Sequence, residues 1–264
     1  MNDVDVAALA QSLRARTRAL PDDWMIEVLA SCASTSSALL ERTDANSRAL
    51  FALEQTAGRG RRGRHWTARP GDSLTFSLRH RFDGRADALS GLSLAVGVAL
   101  ADALAAQGFD GIALKWPNDL MRAGGKLGGI LIELSSSPGD AAATTAVIGI
   151  GLNLAPPPDA DYAYPPAALF DGTPDREGWS SVAAAAVDAL AIALPRFAAE
   201  GFAAFHERWN RCNLHAGREV TVSGDGRSMR GVCLGADRDG ALLLDCGGRI
   251  ERVLTGDVSL RAEH

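Results

Sequence analysis

The sequence predicts an α+β protein in two parts, a larger unit over residues 1–213 and a small β-barrel over residues 214–264. Two observations predict it. Up to about Arg211, short strand patterns interleave with stretches of helical periodicity. After Asn213 the texture changes to short β patterns separated by the turn signals Gly224-Asp225-Gly226, Asp239-Gly240 and Gly247-Gly248. The length of 264 residues, 47% hydrophobic and 22% charged, supports a sizeable core.

Val6, Leu9, Ala10 and Leu13 recur at helical spacing and predict a first helix over about Val4 to Arg18. Met25 to Ala30 reads as a strand. The small hydroxyl residues Ser31 to Ser37 lead into helix at Ala38 to Glu41, which puts Ser34 or Thr35 near a helix N-terminus. A hydroxyl there caps the helix, and the same geometry aims backbone N–H groups at a polar ligand. Ala49 to Thr56 is a strand, and Ser73 to Arg79 is the next, alternating Leu74, Phe76 and Leu78. One long helix is expected over Arg85 to Gln107, ending at Gly108. Ile112 to Trp116 is a short strand stopped by Pro117. Ile130 to Leu134 and Ala146 to Leu154 read as buried strands, the latter broken by Gly149 and Gly151, where a neighbour or a ligand comes close to the backbone. Four strands pairing here would bring the segments around Lys115, Lys126 and the arginine loop to one sheet face. Five prolines between Pro156 and Pro166 make a loop. Trp179 to Leu194 and Pro195 to Arg211 are expected as two helices, with Pro195 in the first turn of the second. Glu219 to Val222, Met229 to Leu234, Ala241 to Asp245, Ile250 to Leu254 and Val258 to Leu260 supply the barrel strands.

A formal net charge of -5 and a pI near 5.6 argue against a broadly basic nucleic-acid-binding face. Cys32, Cys212, Cys233 and Cys246 lack the C-x-x-C spacing of zinc and redox sites and are expected reduced and half-buried. The start of the chain carries Asp3 and Asp5 rather than a basic region with an apolar run, and the most apolar stretch, Leu92 to Ala106, contains Asp102. A cytoplasmic protein with no membrane partner is expected.

Against that acidic background, Gly58 to Trp66 reads Gly-Arg-Gly-Arg-Arg-Gly-Arg-His-Trp, four arginines and three glycines in nine residues. Glycine permits close backbone approach, and the arginine fork matches phosphate or carboxylate oxygens. The segment reads as a loop closing over an anionic ligand, with a solvated basic turn as the plain alternative. Gly58, Gly60 and Gly63 satisfy G-x-G-x-x-G, but a dinucleotide fingerprint needs a helix next, and here Trp66, Pro70 and Gly71 lead to a strand. Gly125-Lys126 is followed by Leu127, which fails the P-loop pattern. Lys115 and Lys126 are the two lysines among 27 basic residues, and their retention suggests sites that need a compact ammonium.

With these motifs in place, the chain resembles the biotin protein ligase family. The resemblance rests on the Gly58–Trp66 stretch, Lys115-Trp-Pro-Asn-Asp119, Gly124-Gly-Lys-Leu-Gly-Gly129 and Gly149-Ile-Gly-Leu-Asn153, and runs from about Ile26 to the C-terminus. It implies a class II aminoacyl-tRNA synthetase-like mixed sheet with flanking helices, followed by an SH3-like β-barrel. It also implies the reaction: biotin and ATP form biotinyl-5′-AMP, and the biotinyl group passes to one lysine of a biotin carboxyl carrier protein. By resemblance Lys126, Arg59 and Arg61 are the catalytic cations. Ser34, Thr35, Ser36, Gln55, Gly58, Arg59, Gly60, Arg61 and Lys126 would bind biotin, and Trp66, Lys115, Asn118, Asp119, Asn153 and Arg261 would serve the nucleotide. Ser36 departs from the asparagine often found at its position. Asp119 could equally be structural, fixing the loop at Pro117. Magnesium is expected to accompany ATP, with no carboxylate identifying itself as its ligand.

Alternatives are a lipoate or octanoate ligase, against which the arginine loop and the Lys-Trp-Pro-Asn-Asp motif weigh, and a biotin-binding regulator without turnover. Some members of the family repress operons through an N-terminal winged helix. With about 24 residues before the first strand, no specific DNA binding is expected here. The sequence leaves the oligomeric state, including a homodimer, open.

Overall fold

A computed structural model describes residues 5–42, 46–135, 143–157, 165–224, 227–254 and 258–262. Helix α1 (Val6–Arg16) is capped by Asp5, whose carboxylate accepts from the Ala7 and Ala8 amides. Strand β1 (Met25–Cys32) leads to the short helix α2 (Thr35–Leu40), and β2 (Arg48–Gln55) and β3 (Ser73–Asp83) flank the arginine loop. Helix α3 (Leu92–Ala106) follows, then β4 (Ile112–Lys115), β5 (Asp119–Arg122), β6 (Gly125–Ser135) and β7 (Ala143–Asn153). These strands make one seven-stranded mixed sheet in the order β1-β2-β3-β7-β6-β5-β4, in which β1 and β2 are parallel and the other pairs antiparallel.

Side chains alternate between the two faces of a strand. Leu74, Phe76 and Leu78 of β3 and Ala146, Ile148, Ile150 and Leu152 of β7 enter the main core with helices α1, α3 and α4 (Arg176–Glu200). Phe51 stacks on Phe76 at 4.7 Å and meets Trp179 of α4 edge-on at 5.8 Å. The opposite face carries α2, where Leu39, Leu50 and Val147 form a small second cluster. The rest of that face, with Thr75, Ser77, Gly149 and Gly151 on it, is left for the site.

Helix α5 (His206–Cys212) leads into β8 (Glu219–Gly224), β9 (Arg227–Ala236), β10 (Leu242–Asp245), β11 (Ile250–Val253) and β12 (Val258–Ala262). They form an antiparallel sheet in the order β11-β10-β9-β8-β12, with Val220, Val222, Cys233, Leu242 and Leu244 buried.

Several expectations are corrected. The helix expected over Arg85 to Gln107 breaks into a 3-10 turn, Ala86–Leu89, and α3, because Gly91 turns the chain with φ 77° where a Cβ would lie 2.6 Å from Phe202. Strand β5 was not anticipated, since Asp119–Arg122 is too short to show alternation, and β6 starts at Gly125 rather than Ile130. Pro195 does not start a helix: α4 runs through it, with the ring on the solvent side and Leu190, Ala191, Leu194 and Phe197 buried around it, so packing outweighs propensity. The four cysteines are free as expected, but Cys233 is fully buried. Ala86–Ala106 and Arg176–Glu200 are long and apolar enough to cross a membrane by composition alone, yet more than half of each apolar window is buried inside the protein.

Candidate active site

A cavity of about 460 Å³ opens on the sheet face away from the main core. Its wall on the β1–β2 side is a hydroxyl network. Ser34 caps α2 by accepting from the Ser37 amide at 3.4 Å, and the chain then places Thr35 against Gln55. Gln55 Oε1 accepts from the Thr35 amide (2.7 Å) and from Thr35 Oγ1 (3.1 Å), while Ser77 Oγ lies 2.7 Å from Thr35 Oγ1 and 2.9 Å from Ser36 Oγ. All of these residues except Ser37 are buried.

Across the sheet, Ser77 pairs with Gly149 and Thr75 with Gly151. The glycines keep space open. A Cβ at Gly149 would stand 2.7 Å from Ser36 Oγ, and one at Gly151 would stand 2.3 Å from Trp66 Cε2. Trp66 therefore lies directly on the β7 backbone. Its Nε1 and Thr75 Oγ1 are buried without a hydrogen-bond partner among the described residues, on side chains that line the cavity. Buried donors left unmatched by protein are costly, and a ligand in this cavity could satisfy them.

The opposite wall holds the charge. Asp119 Oδ1 accepts from Lys126 Nζ at 2.6 Å, and Asp119 Oδ2 is 3.8 Å from Lys115 Nζ. Lys115 is buried, whereas the Lys126 side chain is 31% exposed and so can meet a ligand. The Lys126 backbone is fixed by the end of the proline-rich loop, through its amide to Pro165 O (2.7 Å) and its carbonyl to the Ala167 amide (2.8 Å). Asn153 reinforces this by donating to Lys126 O and Ala167 O.

The arginine loop forms the rim. It is a narrow hairpin, with the Gly60 amide bonded to Arg64 O (2.7 Å) and the Trp66 amide to Gly58 O (2.9 Å), turned through Arg62 at φ 60°. Arg61 Nη1 donates to Asn118 Oδ1 at 3.2 Å, and Asn118 in turn donates to Ile130 O, which ties the rim to the Lys115–Asp119 segment. Arg59 pairs with Glu133 at 2.8 Å and is 44% exposed.

Ser34, Thr35, Ser36, Gln55, Arg59, Gly60, Arg61, Trp66, Lys115, Asn118, Asp119, Lys126 and Asn153 are thus brought to one cavity. Gly58 lines a second depression on the outer side of the loop instead. A Cβ there would fall 2.3 Å from Trp66 O, so its part in the loop is steric. The Arg261 side chain lies outside the described residues, although its backbone pairs with Thr221 in β12–β8. Ser77 and Thr75 were missed from sequence. The signal was present, because both occupy the positions that alternate with core Leu74, Phe76 and Leu78.

Among the described residues no group of three or more His, Cys, Asp or Glu could hold a metal ion. Asp119 is the one carboxylate among the described cavity-lining residues, and its two oxygens face lysines. The lining does not provide a protein cage for magnesium.

Comparisons with known proteins relate the chain to one family. Residues 29–153 match the biotin/lipoate A/B protein ligase family, and residues 215–261 match the biotin protein ligase C-terminal domain. The bifunctional ligase/repressor BirA of Escherichia coli strain K12 is 34% identical over 255 residues, covering 91% of this chain and 75% of that protein. The biotin–[acetyl-CoA-carboxylase] ligase of Mycobacterium tuberculosis is 34% identical over 265 residues, covering 94% of each. Among solved structures, the biotin protein ligase from Aquifex aeolicus in complex with biotin and ATP matches with a TM-score of 0.75 at 26% identity, covering 90% of this chain and 99% of that one.

Proposed function

Since this chain belongs to the biotin protein ligase family, we propose that it activates biotin as biotinyl-5′-AMP and transfers it to one lysine of a biotin carboxyl carrier protein. The observation that carries this reading is the division of one cavity into an uncharged hydroxyl–amide wall and a wall with two lysines, roofed by arginines. The first wall suits the ureido ring of biotin, which offers donors and an acceptor without charge. The second suits a carboxylate meeting a triphosphate.

In the first step the biotin carboxylate oxygen attacks the α-phosphorus and pyrophosphate leaves. Both reactants are anionic, so Lys126, Arg59 and Arg61 would neutralise them and hold them in line. The partial exposure of Lys126 and its bond to Asp119, which orients the ammonium, support this role. Lys115, Asp119, Asn118, Asn153 and Trp66 would serve the nucleotide, Trp66 through an indole N–H that has no partner among the described residues. In the second step the carrier's lysine amine attacks the acyl carbon and AMP leaves. The arginine rim would keep water from the mixed anhydride in the interval. Magnesium would arrive bound to the phosphates.

We further assign the larger sheet to the class II synthetase-like type and the second sheet to an SH3-like barrel, with the boundary near residue 213, where the short strands begin. Four free cysteines are in keeping with a reducing, cytoplasmic setting. Biotin-dependent exchange of pyrophosphate into ATP tests the function. Exchange with biotin supports it, whereas exchange with lipoate alone, or saturable biotin binding with no exchange, would replace it.

A further inference from the structure

The C-terminal sheet meets the strand end beside the site through Trp116. Trp116 is 1% exposed, and its indole Nε1–H donates to the Gly240 carbonyl at 3.2 Å, across 124 residues. Gly240 belongs to a turn, Asp237–Ala241, that is built to be stiff. Its ends are joined by the Asp237 amide to Ala241 O (2.8 Å), and Asp237 Oδ1 accepts from the Asp239 and Ala241 amides. Arg252 bonds Asp237 at 2.7 Å and Asp239 at 2.6 Å from outside. The turn also grips the start of α3: Ser90 Oγ donates to Asp239 O at 2.8 Å, and a Cβ at Gly240 would lie 2.8 Å from Gly91 Cα.

On the other flank, the Leu214 amide donates to Leu114 O at 2.9 Å, and Asn213 forms a parallel bridge with Leu114. Between these two attachments lies Lys115, which pairs across β4–β5 with Asp119. The strand end that carries Lys115 is therefore held before and after by residues from the C-terminal part of the chain. Ser93 Oγ adds a third tie, to Pro117 O at 2.9 Å.

We propose that Trp116 is a positioning residue through which the Asp237–Ala241 turn sets Lys115 and Asp119 for the nucleotide. This rests on the reading that those two residues serve ATP. The C-terminal sheet then acts on the reaction without its turn touching substrate, by fixing where β4 ends. Hydrogen bonds of this kind constrain placement to tenths of an ångström, which is the scale on which charge alignment matters.

Two variants test it. W116F removes the indole N–H and keeps an aromatic ring. D237A loosens the turn and lies off the cavity. In pyrophosphate exchange each is expected to raise KM for ATP about five- to tenfold, the effect of one lost hydrogen bond, while KM for biotin stays within about twofold. The double variant is expected to match W116F alone, because both act through the same contact. Equal rises in both Michaelis constants, additive effects, or an unchanged KM for ATP in D237A would overturn the role. If W116F fails to fold, D237A decides alone. Affinity for a non-hydrolysable ATP analogue, measured by calorimetry, should fall by the same factor in each variant without any turnover, and an unchanged affinity would also overturn the role. A wild type that exchanges no pyrophosphate would count against the ligase reading, whereas an active wild type with unaltered variants would count against positioning by itself.

Discussion

Asp119 accepts a 2.6 Å hydrogen bond from Lys126 while its second oxygen faces Lys115 at 3.8 Å, so both lysines of the chain converge on one carboxylate. The carboxylate offsets two ammonium groups that would otherwise repel each other, and it aims the more exposed one at the opening.

Removing that ammonium should separate chemistry from folding. Lys126→Ala is expected to lower biotin-dependent pyrophosphate exchange by about 10²–10³, the usual effect of losing one transition-state donor. The thermal midpoint should change little, since Lys126 is partly exposed. Unchanged exchange kinetics would dismiss the assigned role. Asp119→Asn should behave differently and destabilise the fold by about 1–3 kcal/mol in urea titrations, because the buried Lys115 ammonium loses a compensating charge.

Arg61 links the rim to Asn118 at 3.2 Å. Arg61→Ala should loosen the loop, and the expected outcome is early escape of biotinyl-AMP, read as biotinylation of lysines on a bystander protein. A variant that labels bystanders no more than the wild type does would refute retention by the rim.

Ser77 touches both Thr35 and Ser36 and is fully buried. Ser77→Ala removes their shared partner, and KM for biotin should rise about tenfold with KM for ATP unchanged. A shift in the ATP constant instead would move this network to the other substrate.

His215 is 3% exposed, and neither ring nitrogen has a partner among the described residues. Burial, followed by the charges of Lys115 and Arg218, lowers its pKa from 6.5 to about 4. A histidine with a lowered folded pKa takes its proton first in the unfolded chain. Its full contribution is present above pH 6.5 and is lost as pH falls from 6.5 toward 4, at most about 3 kcal/mol. His215→Phe should flatten the fall in stability between pH 7 and pH 5. An equally steep fall in that variant would assign the dependence to other groups.

Much of the fold is legible in the sequence. The alternation of Leu74, Phe76 and Leu78 marked β3, and the turn signals after Asn213 marked the second sheet, because these patterns are local and repeat with the period of the element. The helix boundaries were less legible. The Ala- and Leu-rich run over Arg85 to Gln107 reads as one helix, but the closeness of Phe202 and Asp239 to Gly91 makes a break there. Pro195 looked like a start, but burial on both sides of it keeps α4 continuous.

The residue types of the site were determined by the sequence alone: four arginines among glycines, two retained lysines and a run of hydroxyls point to an anionic ligand, with a solvated turn and a helix cap as the plain alternatives. Tertiary structure decided how they meet. That Asp119 lies between both lysines, that Ser77 joins Thr35 to Ser36, and that Gly240 holds Trp116 depend on strand register and on contacts spanning up to 124 residues. No local periodicity encodes such pairings, because they arise only when separate segments bury their apolar faces against a common core.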